Sequence, residues 1–540
     1  MLKNSLLLAA FAGLLTAAAM PNELFFQGNL SLGLVCLVPY FLALRRSPGS
    51  RRQDATIGAA YGIVSGFATN YWLMFFGEFS VWTIGGVTLG FGIYHAILAP
   101  ILGTHRKLPP WARPVALALF FAGYDYLRSI GFLAYPWGLM GYPAAAVDIL
   151  VQHADITGVW LLSFVVTLGN AVILEIVDRR LPPLPGIDFG HRRAIVAGGS
   201  VFLGLSLLII VYGLFALREE RPVAATARMV LIQQNSDSWA RGNELPALAQ
   251  AQELTRDAVD ASREGTGIAE EATDPDLIVW SETSLRRVYT ENSGFYREHP
   301  EGEPFLRFLR ELPAPLLTGA PVLLDAEERR VGNGAILLSR DGEVRQWYAK
   351  NKLVPFAENI PFWHLEFVRS FFRKFVGLGG VWTPGSEYRL FELSGVTNAE
   401  GRTLRYGAPI CFEDAFSYVC RDMVRAGADL LINLTNNSWS KTDSAQVQHY
   451  VAAKFRSVEN RITLVRSTNS GLTTVVDPWG RRREELPMFE EGYLVVEVPI
   501  YVPKNPTFYT RHGDYLGRLF AVLSGVLLAF IVLRERRTRR

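Results

Sequence analysis

YGAPICFED (406–414) reads as a short strand that runs into a turn, and FEDAFSYVCRDMV after it reads as a helix. A thiol at such a strand-to-helix turn, here Cys411, faces free backbone N–H groups and the positive end of the helix dipole, which favour thiolate. Two further segments end strands with reactive groups. LIVWSET (277–283) places Glu282 at the carboxyl end of a buried strand, and YAKNKLVPFAE (348–358) places Lys350 in a polar break between two apolar stretches. A carboxylate, an amine and a thiol are the base, oxyanion stabiliser and nucleophile that acyl transfer through a thioester needs. Each also has a plainer reading: a polar turn for Glu282, a solvated lysine for Lys350, an inert buried cysteine for Cys411. Lys352 fits the spacing as well as Lys350, and Glu358 either pairs with the lysine or caps the next segment.

Outward from these segments, apolar runs alternate with amphipathic ones. ARMVLIQQ, DLIVW, PLLTGAPVLL, NGAILLSR, LRYGAPI, ADLLINLT, ITLVRST and TTVVDPWG predict strands, and 244–263, 302–311, 414–426 and 444–460 predict helices. That alternation predicts a layered α/β or α+β domain, with mixed pairing where turn residues are frequent. Three cysteines (Cys36, Cys411, Cys420) make no disulfide framework. A Cys411–Cys420 bridge would abolish the nucleophile.

The rest of the 540-residue chain has another composition; overall 49% of residues are hydrophobic and 19% charged, but the first 217 are mostly apolar runs. A hydrocarbon core about 30 Å thick needs roughly 20 apolar helical residues. Runs near 4–20, 28–44, 55–77, 84–103, 113–131, 156–177, 194–216 and 515–533 meet or approach that length. Arg45, Arg46, Arg51 and Arg52 follow the second run; Arg106, Lys107 and Arg113 lie around the fourth-to-fifth connection; Arg179, Arg180, Arg192 and Arg193 follow the sixth; and the tail ends RERRTRR. PNELFFQGN, GEFS and FLAYPWGLMGYPAAAVD hold no lysine or arginine. Odd runs therefore travel outward and even runs inward, which puts the domain after the seventh run outside. Expected boundaries are 1–217 for seven transmembrane helices, 218–505 for an extracytoplasmic catalytic domain, and 506–540 for a last helix and a basic cytoplasmic tail. No basic groove with aromatic platforms is present, so nucleic acid is excluded as a partner. No His/Cys/Asp cluster has metal-ligand spacing, and no cofactor is implied.

The three segments resemble the Glu–Lys–Cys set of the nitrilase superfamily, and seven apolar runs before them with one after resemble the bacterial apolipoprotein N-acyltransferase family. The resemblance implies a nitrilase-like α-β-β-α sandwich beside a bundle of about eight transmembrane helices. It implies Glu282 as base, Lys350 as oxyanion stabiliser, Cys411 as thioester carrier, and Glu358 and Glu413 as supporting carboxylates. Trp239, in QQNSDSW, matches a tryptophan lining the site. The chain departs from the family pattern at Phe412, which replaces a tyrosine and lines the pocket without a hydroxyl, at Ala357 in place of glycine, and at NNSWS (436–440).

The implied reaction moves a fatty acyl chain from a membrane phospholipid, through Cys411, to the α-amine of a diacylglyceryl-cysteine at a lipoprotein amino terminus. The implied setting is the bacterial inner membrane, with the catalytic domain periplasmic and the enzyme a monomer. NIPFWHLEFVRSFFRKFVGLGGVW (359–382) sets Leu365, Val368, Phe371, Phe372, Phe375 and Val376 at helical spacing among basic residues, as an amphipathic arm at a membrane interface does. Phe371, Phe372 and Phe375 are the expected lid on the acyl site; the competing reading packs this helix on the domain's own core. AYPWGLMGYP, with Tyr135, Trp137 and Tyr142, predicts an interfacial aromatic belt, with a lipid-binding surface as its alternative. Rival functions are a membrane-tethered amidase acting on a soluble amide, which would use the same three groups, and a transporter, which the scarcity of paired charges in the apolar runs disfavours.

Overall fold

Runs of Val, Leu and Ile lay down two sheets in the middle of the chain. In the computed structural model the strands are β1 (Ala225–Gln233), β2 (Leu277–Val279), β3 (Leu316–Asp325), β4 (Arg330–Leu338), β5 (Val344–Ala349), β6 (Leu390–Thr397), β7 (Thr403–Gly407), β8 (Leu430–Thr435), β9 (Thr463–Thr468), β10 (Thr474–Val476), β11 (Arg482–Glu485) and β12 (Gly492–Ile500). The structure describes residues 2–182, 190–237, 240, 242–265, 272–376, 380–398, 400–501 and 505–538. The chain forms two compact units, Met1–Arg218 with Asp514–Arg540, and Glu219–Gly513.

Within Glu219–Gly513 the sheet orders are β12-β1-β2-β3-β4-β5 and β6-β7-β8-β9-β10-β11. Read in those orders, both sheets pair antiparallel, parallel, parallel, antiparallel, antiparallel. The unit is therefore two similar halves, although the sequence carries no short repeat. Central parallel strands are buried on both faces and read as unbroken apolar runs, as in β8 (LLINLT). The sheets face each other, with β1 and β12 against β9. Helix Glu244–Glu264 covers β1 and β12, and helices Ser417–Arg425 and Asp443–Asn460 cover β7 and β9, so the expected α-β-β-α sandwich is present. Trp280, fully buried among Phe305 and Phe308, anchors one outer layer and donates its indole N–H to Thr255 Oγ1 at 2.9 Å.

The expected strands are all present, but β5, β6, β11 and β12 were not read from the sequence. β5 (VRQWYA) and β11 (RREE) are edge strands whose alternate side chains face water, so neither forms an apolar run. β12 pairs with β1 along its whole length, Ala225↔Ile500 to Gln233↔Gly492. The helix expected at 414–426 starts only at Ser417, because Cys411–Ala415 forms a 3₁₀ turn, and the one expected at 302–311 starts at Phe305.

In the other unit all eight apolar runs are helical in whole or in part. Five described helices are long and apolar enough to cross a membrane: Leu2–Ala19, Ser80–Lys107, Trp160–Asp178, His191–Arg218 and Tyr515–Arg537. The run at 28–44 is broken into Leu30–Gly33 and Val38–Arg45, with Pro39 opening the second piece. Arg51–Thr69 is less apolar because it packs by close approach. A Cβ on Gly58 or Gly62 would lie 2.1 or 2.2 Å from the carbonyl oxygen of His95 or Phe91, so only glycine admits this contact with helix Ser80–Gly103.

Asp125, the least comfortable charge of the apolar runs, is fully buried and paired with Arg128 at 3.2 Å. Arg128 also donates to the carbonyls of Tyr135, Trp137 and Gly138, while Asp125 Oδ2 accepts from the Met140 amide at 2.9 Å. This pair satisfies the backbone of the AYPWGLMGYP stretch, which folds inward: Trp137 and Tyr142 are buried, and Tyr135 donates to Asn70 Oδ1. Two of the three aromatics of the expected belt, Trp137 and Tyr142, are thus packed inside the unit.

Candidate active site

Three strand ends converge between the sheets. Glu282 follows β2, on a turn where Thr283 adopts φ +59°. Gly319 of β3 passes directly behind; a Cβ there would lie 2.6 Å from the Glu282 Cα. Lys350 follows β5, its amide donating to the Asn333 carbonyl of β4 at 2.8 Å. Cys411 lies just past the isolated bridge Ile410↔Leu434 that prolongs β7 beside β8, and has φ +50°. The three cysteines are free, so no bridge engages the sulfur.

Lys350 Nζ lies 2.9 Å from Glu358 Oε1 and 3.6 Å from Glu282 Oε1, and only 1% of the residue is exposed. Burial disfavours the ammonium, but the Glu358 and Glu282 carboxylates and Cys411 outweigh it, so Lys350 holds its proton more tightly than a free lysine. Lys352 takes a different place, its ammonium 5.0 Å from the Phe416 ring centre, which leaves Lys350 as the amine between the carboxylates. Glu358 pairs with Lys350 and also caps, its Oε2 accepting from the Val354 amide at 2.8 Å.

Cys411 lies close enough to Glu282 and Lys350 for both charges to act on its thiol. Its pKa is pushed well above the ordinary thiol range by burial first and then by the Glu282 charge, against the pull of Lys350. The expected thiolate-favouring helix end is therefore not what governs this sulfur: the α-helix begins six residues later, at Ser417. Burial and the neighbouring carboxylate thus favour the neutral thiol over the thiolate at this position.

Two asparagines complete the cleft: Asn333, which the sequence did not single out, and Asn436, which it marked only as the start of the divergent NNSWS stretch. Asn333 Nδ2 donates to Glu282 Oε1 at 2.8 Å and to Glu358 Oε1 at 3.1 Å, bridging the carboxylates on either side of Lys350. The Asn436 amide donates to Glu282 Oε2 at 2.9 Å, from the end of β8, the strand equivalent to β2 in the other half. An asparagine has no sequence signature for such a task; the β2–β3–β4 registers bring Asn333 to Glu282, and the sheet-to-sheet approach brings Asn436 there.

Glu413 is fully buried and turns away from the ammonium. It accepts from the amides of Ile410 (2.9 Å), Asn351 (2.7 Å) and Lys352 (3.0 Å) and from the Tyr348 hydroxyl (2.9 Å), tying the lysine loop to the cysteine turn. Burial pushes its carboxyl up to about 7, against these donors, which favour the ionised form. The raised value sets the sign of the linkage: the folded domain holds the Glu413 proton more tightly than the unfolded chain does, so this contribution to stability is fully present below the ordinary carboxylate range and is lost as pH rises through about 7. Glu413→Gln keeps the side chain neutral throughout, so its melting temperature is expected to fall less than that of the wild type as pH rises through about 7, which thermal unfolding across that range measures.

Phe412 packs edge-on against Phe416, ring centres 4.7 Å apart. Phe371 is 45% exposed, and Phe372 stacks on Phe356. Trp239 and the Phe375 side chain lie outside the described residues. The arm is a short helix, Glu366–Phe371, continued by a π-turn, and no residue of that helix is buried, so it is not packed on the domain core. Phe356, Phe362, Phe367 and Phe371 all present large apolar surface. Among the described residues no group of three or more His, Cys, Asp or Glu could hold a metal.

Residues 230–502 match the model of the carbon-nitrogen hydrolase family, in agreement with the two-sheet sandwich and its Glu–Lys–Cys cleft. Residues 12–172 match the apolipoprotein N-acyltransferase N-terminal domain. An apolipoprotein N-acyltransferase of Treponema denticola is 36% identical over 97% of this chain and 96% of its own length. One from Borreliella burgdorferi is 33% identical over 94% and 92%. Among solved structures, an amidase of the nitrilase superfamily from Nesterenkonia aligns at 19% identity, with a TM-score of 0.36, over 56% of this chain and 100% of that one. The chain belongs to the apolipoprotein N-acyltransferase family. It is a membrane acyltransferase, as the motif resemblance implied.

Proposed function

We propose that the enzyme carries a fatty acyl group from a membrane phospholipid on Cys411 to the α-amine of a diacylglyceryl-cysteine at a lipoprotein amino terminus. The observation that carries this reading is the convergence of Cys411 and the buried Lys350 ammonium on Glu282, with Lys350 Nζ 3.6 Å from its carboxylate. Because the neutral thiol is favoured, attack and deprotonation go together: Glu282 takes the proton as sulfur adds to the ester carbonyl. Lys350 and backbone N–H groups hold the oxyanion. On collapse, the carbon–oxygen bond breaks, Glu282 returns the proton to the leaving glycerol oxygen, and the lyso-lipid departs. In the second half the lipoprotein amine attacks the thioester, Glu282 takes the amine proton and passes it to the departing sulfur, and an amide forms. Glu358 and Asn333 keep Lys350 and Glu282 in place throughout.

Pulling a fatty chain through water costs about 0.8 kcal/mol per CH₂, on the order of 10 kcal/mol for a chain of some fourteen carbons. The acyl site therefore meets lipid directly, and the exposed aromatics of the 356–371 loop enter the outer leaflet and act as a lid. Arginine-rich loops on alternate connections support a bundle in the bacterial inner membrane with Glu219–Gly513 on the periplasmic side. Glu282, Lys350 and Cys411 come from one chain, which supports a monomeric enzyme.

Intact mass after incubation with phospholipid vesicles tests the reading. One added fatty acyl mass on the Cys411 peptide is expected; acylation by a soluble amide but not by vesicles would favour an amidase. Phe371→Ser combined with Phe372→Ser is expected to slow acylation from vesicles about tenfold or more, through lost apolar insertion. Detergent-dispersed short-chain ester should be turned over nearly normally by this variant, and unchanged vesicle turnover would refute the lid.

A further inference from the structure

Three buried polar side chains that this mechanism leaves unused meet at the carbonyl of the nucleophile. His449 Nε2 lies 3.2 Å from the Cys411 carbonyl oxygen and 2.6 Å from Asp414 Oδ1. Asp414 Oδ2 is ion-paired with Arg466 Nη1. His449, Asp414 and Arg466 are at most 3% exposed. On the far side of the imidazole, Asn437 Nδ2 lies 3.1 Å from Nδ1 and also donates to Gln446 Oε1. Gln446 in turn donates to the Asn437 carbonyl and to Ser440 Oγ, which orients both amides. Nδ1 therefore accepts and Nε2 carries the hydrogen, aimed at Asp414 and the Cys411 carbonyl together. Asn433 Nδ2 donates to the same carbonyl at 3.3 Å.

The conformation so held is a strained one. Cys411 has φ +50°, and a non-glycine residue stays there only where its surroundings over-determine it. In a trans peptide the N–H points opposite to the C=O. Drawing the Cys411 carbonyl onto His449 and Asn433 thus turns the Phe412 amide the other way, away from the buried network. We propose that Arg466, Asp414 and His449 form a positioning chain that clamps the Cys411 carbonyl and so fixes the orientation of the Phe412 amide as an oxyanion donor. This rests on Cys411 as the acyl carrier.

The test separates acylation, which passes through an oxyanion, from alkylation, which does not. In full-length enzyme, His449→Ala is expected to slow thioester formation and aminolysis alike by about 10²-fold, the effect of a misplaced oxyanion donor. KM for vesicle phospholipid and the rate of Cys411 alkylation by iodoacetamide should stay at wild-type values. His449→Gln, which restores a donor near Nε2, should recover most of the loss. Wild-type acylation rates in His449→Ala would overturn the proposal. So would acylation and alkylation falling together in both variants, which marks a damaged fold. Wild-type enzyme that takes up no acyl label on Cys411 would refute the carrier itself, and the clamp with it.

Discussion

Cys411→Ala enzyme incubated with vesicles of labelled phospholipid is expected to acquire no covalent fatty acid and to make no triacylated product. Neither of the other two cysteines can substitute. Cys420 is fully buried in the following helix, its thiol raised well above the ordinary range by burial, and Cys36 belongs to the membrane unit. Alanine accepts the left-handed backbone at position 411 at the same cost as cysteine, so the variant should fold. Cys411→Ser should also fail. A serine hydroxyl is far less acidic than a thiol, and the Glu282 carboxylate with one ammonium beside it is too weak a base to drive its deprotonation at a useful rate. The measurement is autoradiography of denatured protein with hydroxylamine release, which cleaves thioesters. Label retained by the alanine variant would assign the carrier elsewhere.

Cys411, Glu282 and Lys350 were legible as members of one cleft because each sits inside a local pattern: an apolar strand, a reactive group at its carboxyl end, then turn residues. The partners that hold them were not. Asn333 is one asparagine in NGAILLSR, and it reaches Glu282 because β3, which lies between β2 and β4, pairs with Pro321 opposite Asn333. Asp414 and His449 are 35 positions apart and meet only once helix Asp443–Asn460 lies over the cysteine turn. Glu413 was read as a supporting carboxylate from resemblance alone, yet its physical task, collecting three backbone amides from two loops, is a tertiary fact.

The fold shows the same division. β8 and β9 were plain because central strands bury both faces, whereas β5 and β11 lie at sheet edges and alternate with solvent. In the apolar half, a hydropathy reading treats charge as a boundary marker. Arg128, passed over inside the fifth run, is instead an interior partner: its guanidinium satisfies three carbonyls of a loop that has no helix or sheet to do so.

Lys350→Met should be the most damaging substitution outside the nucleophile, because it acts on both stability and rate. Methionine nearly matches the lysine stem in volume but leaves the Glu282 and Glu358 carboxylates sharing Asn333 Nδ2 with no cation between them. Breaking a buried ion pair by removing one partner costs about 3–5 kcal/mol. The rate should fall by at least about 10³-fold, since the one buried positive charge at the oxyanion is gone. The pH dependence has a definite sign. In the wild type the raised Lys350 pKa gives stability that is fully present below the ordinary lysine range and lost only as pH rises through the folded value. In Lys350→Met the folded cleft binds a proton in the ammonium's stead, so the variant gains stability relative to wild type as pH falls and loses it as pH rises. Melting temperatures of both proteins across that range measure the gap. Lys350→Arg should not rescue activity, because a planar five-donor fork cannot occupy a pocket built around one ammonium 2.9 Å from Glu358. A Lys350→Met enzyme with near-normal acylation would mean that the oxyanion is held elsewhere.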